Sequence, residues 1–187
     1  MDFDELNPTS AANLSLYFMS ILFDEEINDF IENTLSSEAT DEVIAMRKQS
    51  MELAEKAQNP SELADAVRKI KDISGRQLIV KKILNNQQDT LPLLINKFKR
   101  SSHDVFIETA AMIFAYCDNE YIDTLLSEYE QIRDEYAKSQ FCVVLGFRGR
   151  KDCKKFLQKE YERMCDLFDE DENEFEQGPL TALNALR

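Results

Sequence analysis

DVFIETAAMIFAYCD (Asp104–Asp118) and EYAKSQFCVVLGFRG (Glu135–Gly149) are one helical pattern written twice, 31 positions apart. The overlay sets Ala110-Ala111-Met112-Ile113-Phe114 on Phe141-Cys142-Val143-Val144-Leu145, Ile122 on Cys153, and Leu125-Leu126 on Phe156-Leu157. The same step backwards sets Ile79 on Ala110, Ile83 on Phe114, Leu91 on Ile122, and Leu94-Ile95 on Leu125-Leu126. A further step brings Leu63-Ala64 onto Leu94-Ile95, while Val67 falls on Phe98 and Tyr129. A fixed period between about 20 and 50 residues marks stacked supersecondary units, none of which buries its own apolar stripe without its neighbours.

The 187 residues suit a single domain or one short repeat array with a sizeable core. Four glycines and four prolines leave little turn chemistry for many short strands, so the composition predicts an all-α chain. A net charge of −14 argues against general nucleic-acid binding, because most of the surface would repel phosphates. The charge comes in blocks: positions 1 to 46 hold eleven acids and no base, whereas 68 to 100 hold nine bases against Asp72 and Asp89.

Cys117, Cys142, Cys153 and Cys165 match neither a zinc-ligand spacing nor a dense disulfide framework. They read as buried thiols of a reducing, cytoplasmic protein. The acidic start, Met1-Asp-Phe-Asp-Glu, is unlike a targeting segment, and the apolar run Leu14–Phe23 is about half a bilayer span.

Taken in order, positions 1–13 read as a loose leader, 14–168 as one helical-repeat domain, and 169–187 as an acidic tether with a short apolar tail. First helices are expected at 14–35, 61–73, 90–100, 120–132 and 151–168, and second helices at 42–58, 76–86, 104–117 and 135–147. Asn59-Pro60 offers an N-cap followed by proline at the first helical position, and Ser74-Gly75 is expected to break a helix. Gly149 fits a left-handed helix stop. In the tail, Leu180, Leu183 and Leu186 recur at three-residue steps.

With the repeat assigned, Thr90-Leu-Pro-Leu-Leu-Ile-Asn-Lys-Phe-Lys-Arg100 resembles the leucine-pair helix of HEAT-type units of the short bacterial kind. Asp104–Asp118 resembles the alanine-rich second helix of that family, and Asn119–Gly149 repeats the unit. The resemblance covers about 60 to 168 and departs from the family where its usual Asp-Pro turn is replaced by Ser-His-Asp and Arg-Asp-Glu. It implies an α-α superhelix of four to five antiparallel helix pairs, acting as a protein-binding scaffold with second helices along the concave side. Carried over by position, the implied binding stripe is Leu78, Lys81 and Asn85, then Thr109, Met112 and Tyr116, then Gln140, Val143 and Phe147. Met112, Tyr116, Val143 and Phe147 are apolar or aromatic where a solvated face would be polar, which is read either as a docking patch or as packing under the tail or against the next layer.

No reaction chemistry stands out. His103, the one histidine, sits where a helix begins and reads as a cap or surface residue. Carboxylate pairs on helices lack the Glu-x-x-His spacing of a di-metal bundle, and there is no phosphate-binding glycine loop. No catalytic residue, metal or cofactor is expected. The primary reading is a non-enzymatic scaffold for a protein partner, with basic partners favoured by charge. One alternative is an acidic inhibitor or immunity-type protein neutralising a basic one. The other is a HEAT-like DNA-binding protein or DNA glycosylase gripping phosphates with Arg76, Lys81 and Lys82, weakened by the absence of tryptophan. The cluster Arg148, Arg150, Lys151, Lys154 and Lys155 is a candidate receiver for the acidic tether.

Overall fold

A computed structural model describes residues 40–167 and 175–187, so the leader, the helix expected at 14–35 and most of the acidic tether lie outside the described residues. All regular structure among the described residues is helical. The helices are α1 (Asp41–Lys56), α2 (Pro60–Ala66), α3 (Ile73–Leu84), α4 (Gln87–Phe98), α5 (Asp104–Tyr116), α6 (Asn119–Ser127), α7 (Glu135–Phe147), α8 (Lys154–Leu167) and α9 (Gln177–Ala185). Short 3-10 turns follow α6 at Tyr129–Gln131 and precede α8 at Lys151–Cys153.

Local chemistry places the helix starts. Asn59 and Glu62 form a reciprocal capping box ahead of Pro60, and the side chains of Thr40, Asp72, His103 and Asp134 each accept a backbone N–H of their helix's first turn. The expected break at Ser74-Gly75 does not occur, because Asp72 caps α3 two residues earlier and Gly75 lies inside the helix. A Cβ on Gly75 would sit 2.8 Å from Cβ of Ser50, so the glycine permits close approach to α1. Ser50 in turn accepts the N–H groups of Lys71 and Asp72 through its hydroxyl, which ties the turn before α3 to α1. Gly149 does stop α7, at φ 68°.

The 31-residue register reappears as burial. Ile79, Ala110 and Phe141 have no exposed surface, and neither do Ile83, Phe114 and Leu145. In the other set of helices Leu63, Leu94 and Leu125 are buried, as are Val67, Phe98 and Tyr129. Phe98 meets Phe114 edge-on at 5.1 Å, which joins the two sets across the core. Each fully buried aliphatic or aromatic side chain stabilises the fold by about 2 kcal/mol relative to exposure.

Each second helix packs on the next, α1 on α3, α3 on α5, α5 on α7 and α7 on α9, while α2 packs on α4 and α4 on α6. Polar contacts keep the same stride. Arg148 donates to the carbonyls of Phe114, Ala115 and Cys117 at 2.8–3.1 Å, and Lys82 donates to those of Ala54, Glu55 and Ala57 at 2.7–3.0 Å. In both cases a cation from one helix satisfies the orphan carbonyls that end the previous helix of the row. This arrangement of packed neighbours is compatible with a helical repeat.

The apolar tail is itself a helix. Gln177–Ala185 rests on α7 and α8 and takes the next place in the row. Contact is close because a Cβ on Gly146 would collide with the backbone of Ala182, and one on Gly178 with Ser139. Ser139 donates its hydroxyl to the Phe175 carbonyl at 2.7 Å. Two of the five expected receivers of the acidic tether are engaged within the described residues: Arg148 on α5 carbonyls, and Arg150 on Asp123 and Asp152. Replacing Gly146→Val is expected to destabilise the chain by about 1–3 kcal/mol in urea unfolding, by forcing α9 off α7.

Candidate functional site

The nine stripe positions divide in two. Lys81 and Asn85 on α3 are exposed, and Leu78, Tyr116 and Phe147 are half-buried. Thr109, Met112, Gln140 and Val143 are buried, at 0, 5, 2 and 0% exposure. These four belong to the packed interior of the chain. The physical reason lies in α5 and α7, of which nine residues each are buried. A helix flanked in its row on both sides has little surface left to present. The Thr109 hydroxyl turns back to the Val105 carbonyl at 2.7 Å, and the side-chain oxygen of Gln140 is buried with no hydrogen bond.

What α5 and α7 do present is polar near their starts and aromatic at their ends. Glu108 accepts from Arg76 at 3.2 Å and from the Tyr136 hydroxyl at 3.3 Å, so α3, α5 and α7 are linked by one carboxylate. Burial, reinforced by the Glu108 charge, pushes the Tyr136 phenol up and keeps it a hydrogen-bond donor. Glu108 was absent from the expected stripe, although its 32-residue separation from Arg76 carries the repeat spacing. At the far ends Tyr116 and Phe147, 31 positions apart, meet edge-on with centroids 5.5 Å apart. Leu84, half-buried, ends α3 one residue before Asn85.

A second polar cluster joins α7 and α8. Glu160, 6% exposed, accepts from the Tyr129 hydroxyl at 2.8 Å and from Arg163 at 2.9 Å. Arg163 and Lys138 both donate to Glu135, and Lys138 lies 5.8 Å from the Tyr129 ring centre. Burial pushes the Glu135 carboxyl up, but the hydrogen bonds from Arg163 and Lys138 outweigh it and hold the group below the usual carboxylate range. Every charge in this cluster is matched, and its chemistry is that of a brace.

The remaining reactive types are similarly engaged. Burial pushes the Cys117 thiol up to about 12, which makes it a poor nucleophile at neutral pH. His103 caps α5, its Nδ1 accepting from the Phe106 N–H at 3.4 Å. Among the described residues no group of three or more His, Cys, Asp or Glu side chains is arranged to hold a metal ion. Of the nine bases at 68 to 100, Arg76 pairs with Glu108, Lys82 holds α1 carbonyls, Lys97 pairs with Asp65 and Lys99 with Glu128.

Burial of the four interior positions predicts that Met112→Asp or Val143→Asp costs upwards of about 3 kcal/mol in chemical unfolding, whereas Lys81→Glu stays within about 0.5 kcal/mol. A depressed carboxylate contributes stability that is present above its unfolded pKa and lost as pH falls through the folded one. Glu135→Gln should therefore lower the thermal midpoint at neutral pH, with the gap to the parent chain closing below about pH 4. Comparison with protein-family models, curated proteins and solved structures gives no match to this chain.

Proposed function

We propose that this chain is a non-enzymatic scaffold of HEAT-like helix pairs, stacked as a superhelix, that docks a protein partner on the face of its second helices. The observation that carries this reading is the Tyr116–Phe147 pair, two rings left half-exposed at the ends of helices whose other apolar side chains are nearly all buried. Aromatic side chains in such positions are the usual anchors of protein interfaces, since they bury much area at small entropic cost. Lys81 and Asn85, exposed on the neighbouring α3, form the polar rim that such a patch requires.

The matched charges of the Glu108 and Glu160 clusters favour a structural use of the polar groups over an acid-base use. The four free thiols, three of them buried, accord with a reducing compartment such as the cytoplasm. The excess of acids over bases steers basic proteins or basic segments towards the chain as a whole.

Affinity capture tests the face directly. Phe147→Ser combined with Lys81→Glu should keep the helical circular dichroism of the parent and lose the protein that the parent retains. An unchanged captured protein would place docking elsewhere.

A further inference from the structure

Five of the nine bases at 68 to 100, namely Arg68, Lys69, Lys71, Lys81 and Arg100, have side chains with no ion pair or hydrogen bond to any described residue. In a chain with 36 acids against 22 bases, acids are abundant enough to match each of them. Three of the five nevertheless converge. Arg68 and Lys69 follow α2, Arg100 follows α4, and all three line one open cleft of about 570 Å³ between those helices. The negative charge inside the cleft, Asp65, is taken up by Lys97 on the opposite wall. Phe106 and Ala64, both buried, form part of the lining, so the three cations, which no described residue pairs, stand beside a low-dielectric interior where field lines are focused. Asn96 adds an amide able to donate to a carbonyl or carboxylate.

We propose that this cleft binds a short Asp/Glu-rich segment of a partner protein, with carboxylates set on the guanidinium groups of Arg68 and Arg100. Arginine presents its donors as a planar fork that matches a carboxylate in two parallel hydrogen bonds, and Lys69 adds a point charge beside it. The volume falls within the usual range for ligand sites, about 300–1,000 Å³. A protein segment fits better than nucleic acid because of what surrounds the cleft. Duplex DNA carries a charge about every 1.7 Å along its axis and would run on past the three cations over a chain of net charge −14. A short acidic segment confines its charge to the cleft itself. Cations placed after α2 and α4 also complement the helix dipoles, but that role asks only for proximity to a helix end and not for convergence on one cleft.

The site lies on the first-helix side of the fold and is separate from the Tyr116–Phe147 face, resting on the scaffold reading only in that its occupant is a protein. The test is fluorescence anisotropy of a labelled oligoglutamate peptide titrated with the full chain at low salt. Saturable binding is expected, weakened about tenfold or more by Arg68→Glu with Arg100→Glu and unchanged by Lys159→Glu, an exposed cation on α8 away from both surfaces. Should charge reversal lower the thermal midpoint, Arg68→Gln with Arg100→Gln supplies the same comparison with smaller perturbation. The assignment is overturned if the peptide fails to bind, if the arginine variants bind it as the parent does, or if Lys159→Glu weakens it equally. It is likewise overturned if a single-stranded oligonucleotide of equal charge binds more tightly through the same two arginines. A parent chain that captures a protein but does not bind the peptide sinks the cleft alone, and one that binds the peptide but captures no protein sinks the second-helix face alone.

Discussion

The two central helices of the second row, α5 and α7, are apolar on more faces than one neighbour can cover, and the rest of the structure answers that surplus. In α5, Ile107, Ala110, Ala111, Ile113 and Phe114 are all wholly withdrawn from solvent. No single contact surface could do this, so α5 is flanked in its row by α3 and α7 and packed also against α4. The demand then passes outward to each neighbour until something closes the row. At the C-terminal end α9 does so, and the glycines on both sides of its contact bring it close enough to exclude water.

Helix ends impose a second demand of the same kind. A helix that stops inside a layered structure leaves carbonyls without partners, and these are costly when desolvated. Lys82 and Arg148 meet that cost from the next layer, and Arg133 donates its backbone N–H to the Lys99 carbonyl across a similar span. Because the donors come from about one repeat away, the helix termini and the stacking stabilise each other. The Glu108 and Glu160 clusters do likewise, joining three successive helices and two layers. Cations and carboxylates engaged in this way are withdrawn from any chemistry with a ligand.

On the scaffold reading proposed above, function falls to what the stacking leaves over. Two surfaces among the described residues stand out, and they differ in character. One is the aromatic pair at the ends of α5 and α7, with Lys81 and Asn85 beside it. The other is the cleft between α2 and α4, whose charge is opposite to that of the chain. An apolar patch gains affinity by burial, whereas a charged cleft selects by complementarity and speeds encounter. A scaffold carrying both would recognise a partner by two unlike features at once.

The periodic part of this molecule was legible in its residues. Ile79, Ala110 and Phe141 share a register because each lies on the buried side of its helix, and caps such as Asn59, Asp134 and Gly149 act within a few residues of themselves. Other local readings stopped short where a distant residue intervened: Gly75 looks like a breaker until Ser50 is set against it, and the apolar spacing of 177–185 does not show that it is seated on α7, where Gly146 and Gly178 make room for it. Which stripe positions stay exposed depends on how near the flanking helices come, so Met112 and Val143 are indistinguishable from Tyr116 and Phe147 by spacing alone. The gathering of Arg68 and Arg100 belongs to the same class. They lie 32 positions apart, and only the translation from one layer to the next, set by the volumes packed between α2 and α4, decides that they line one cleft.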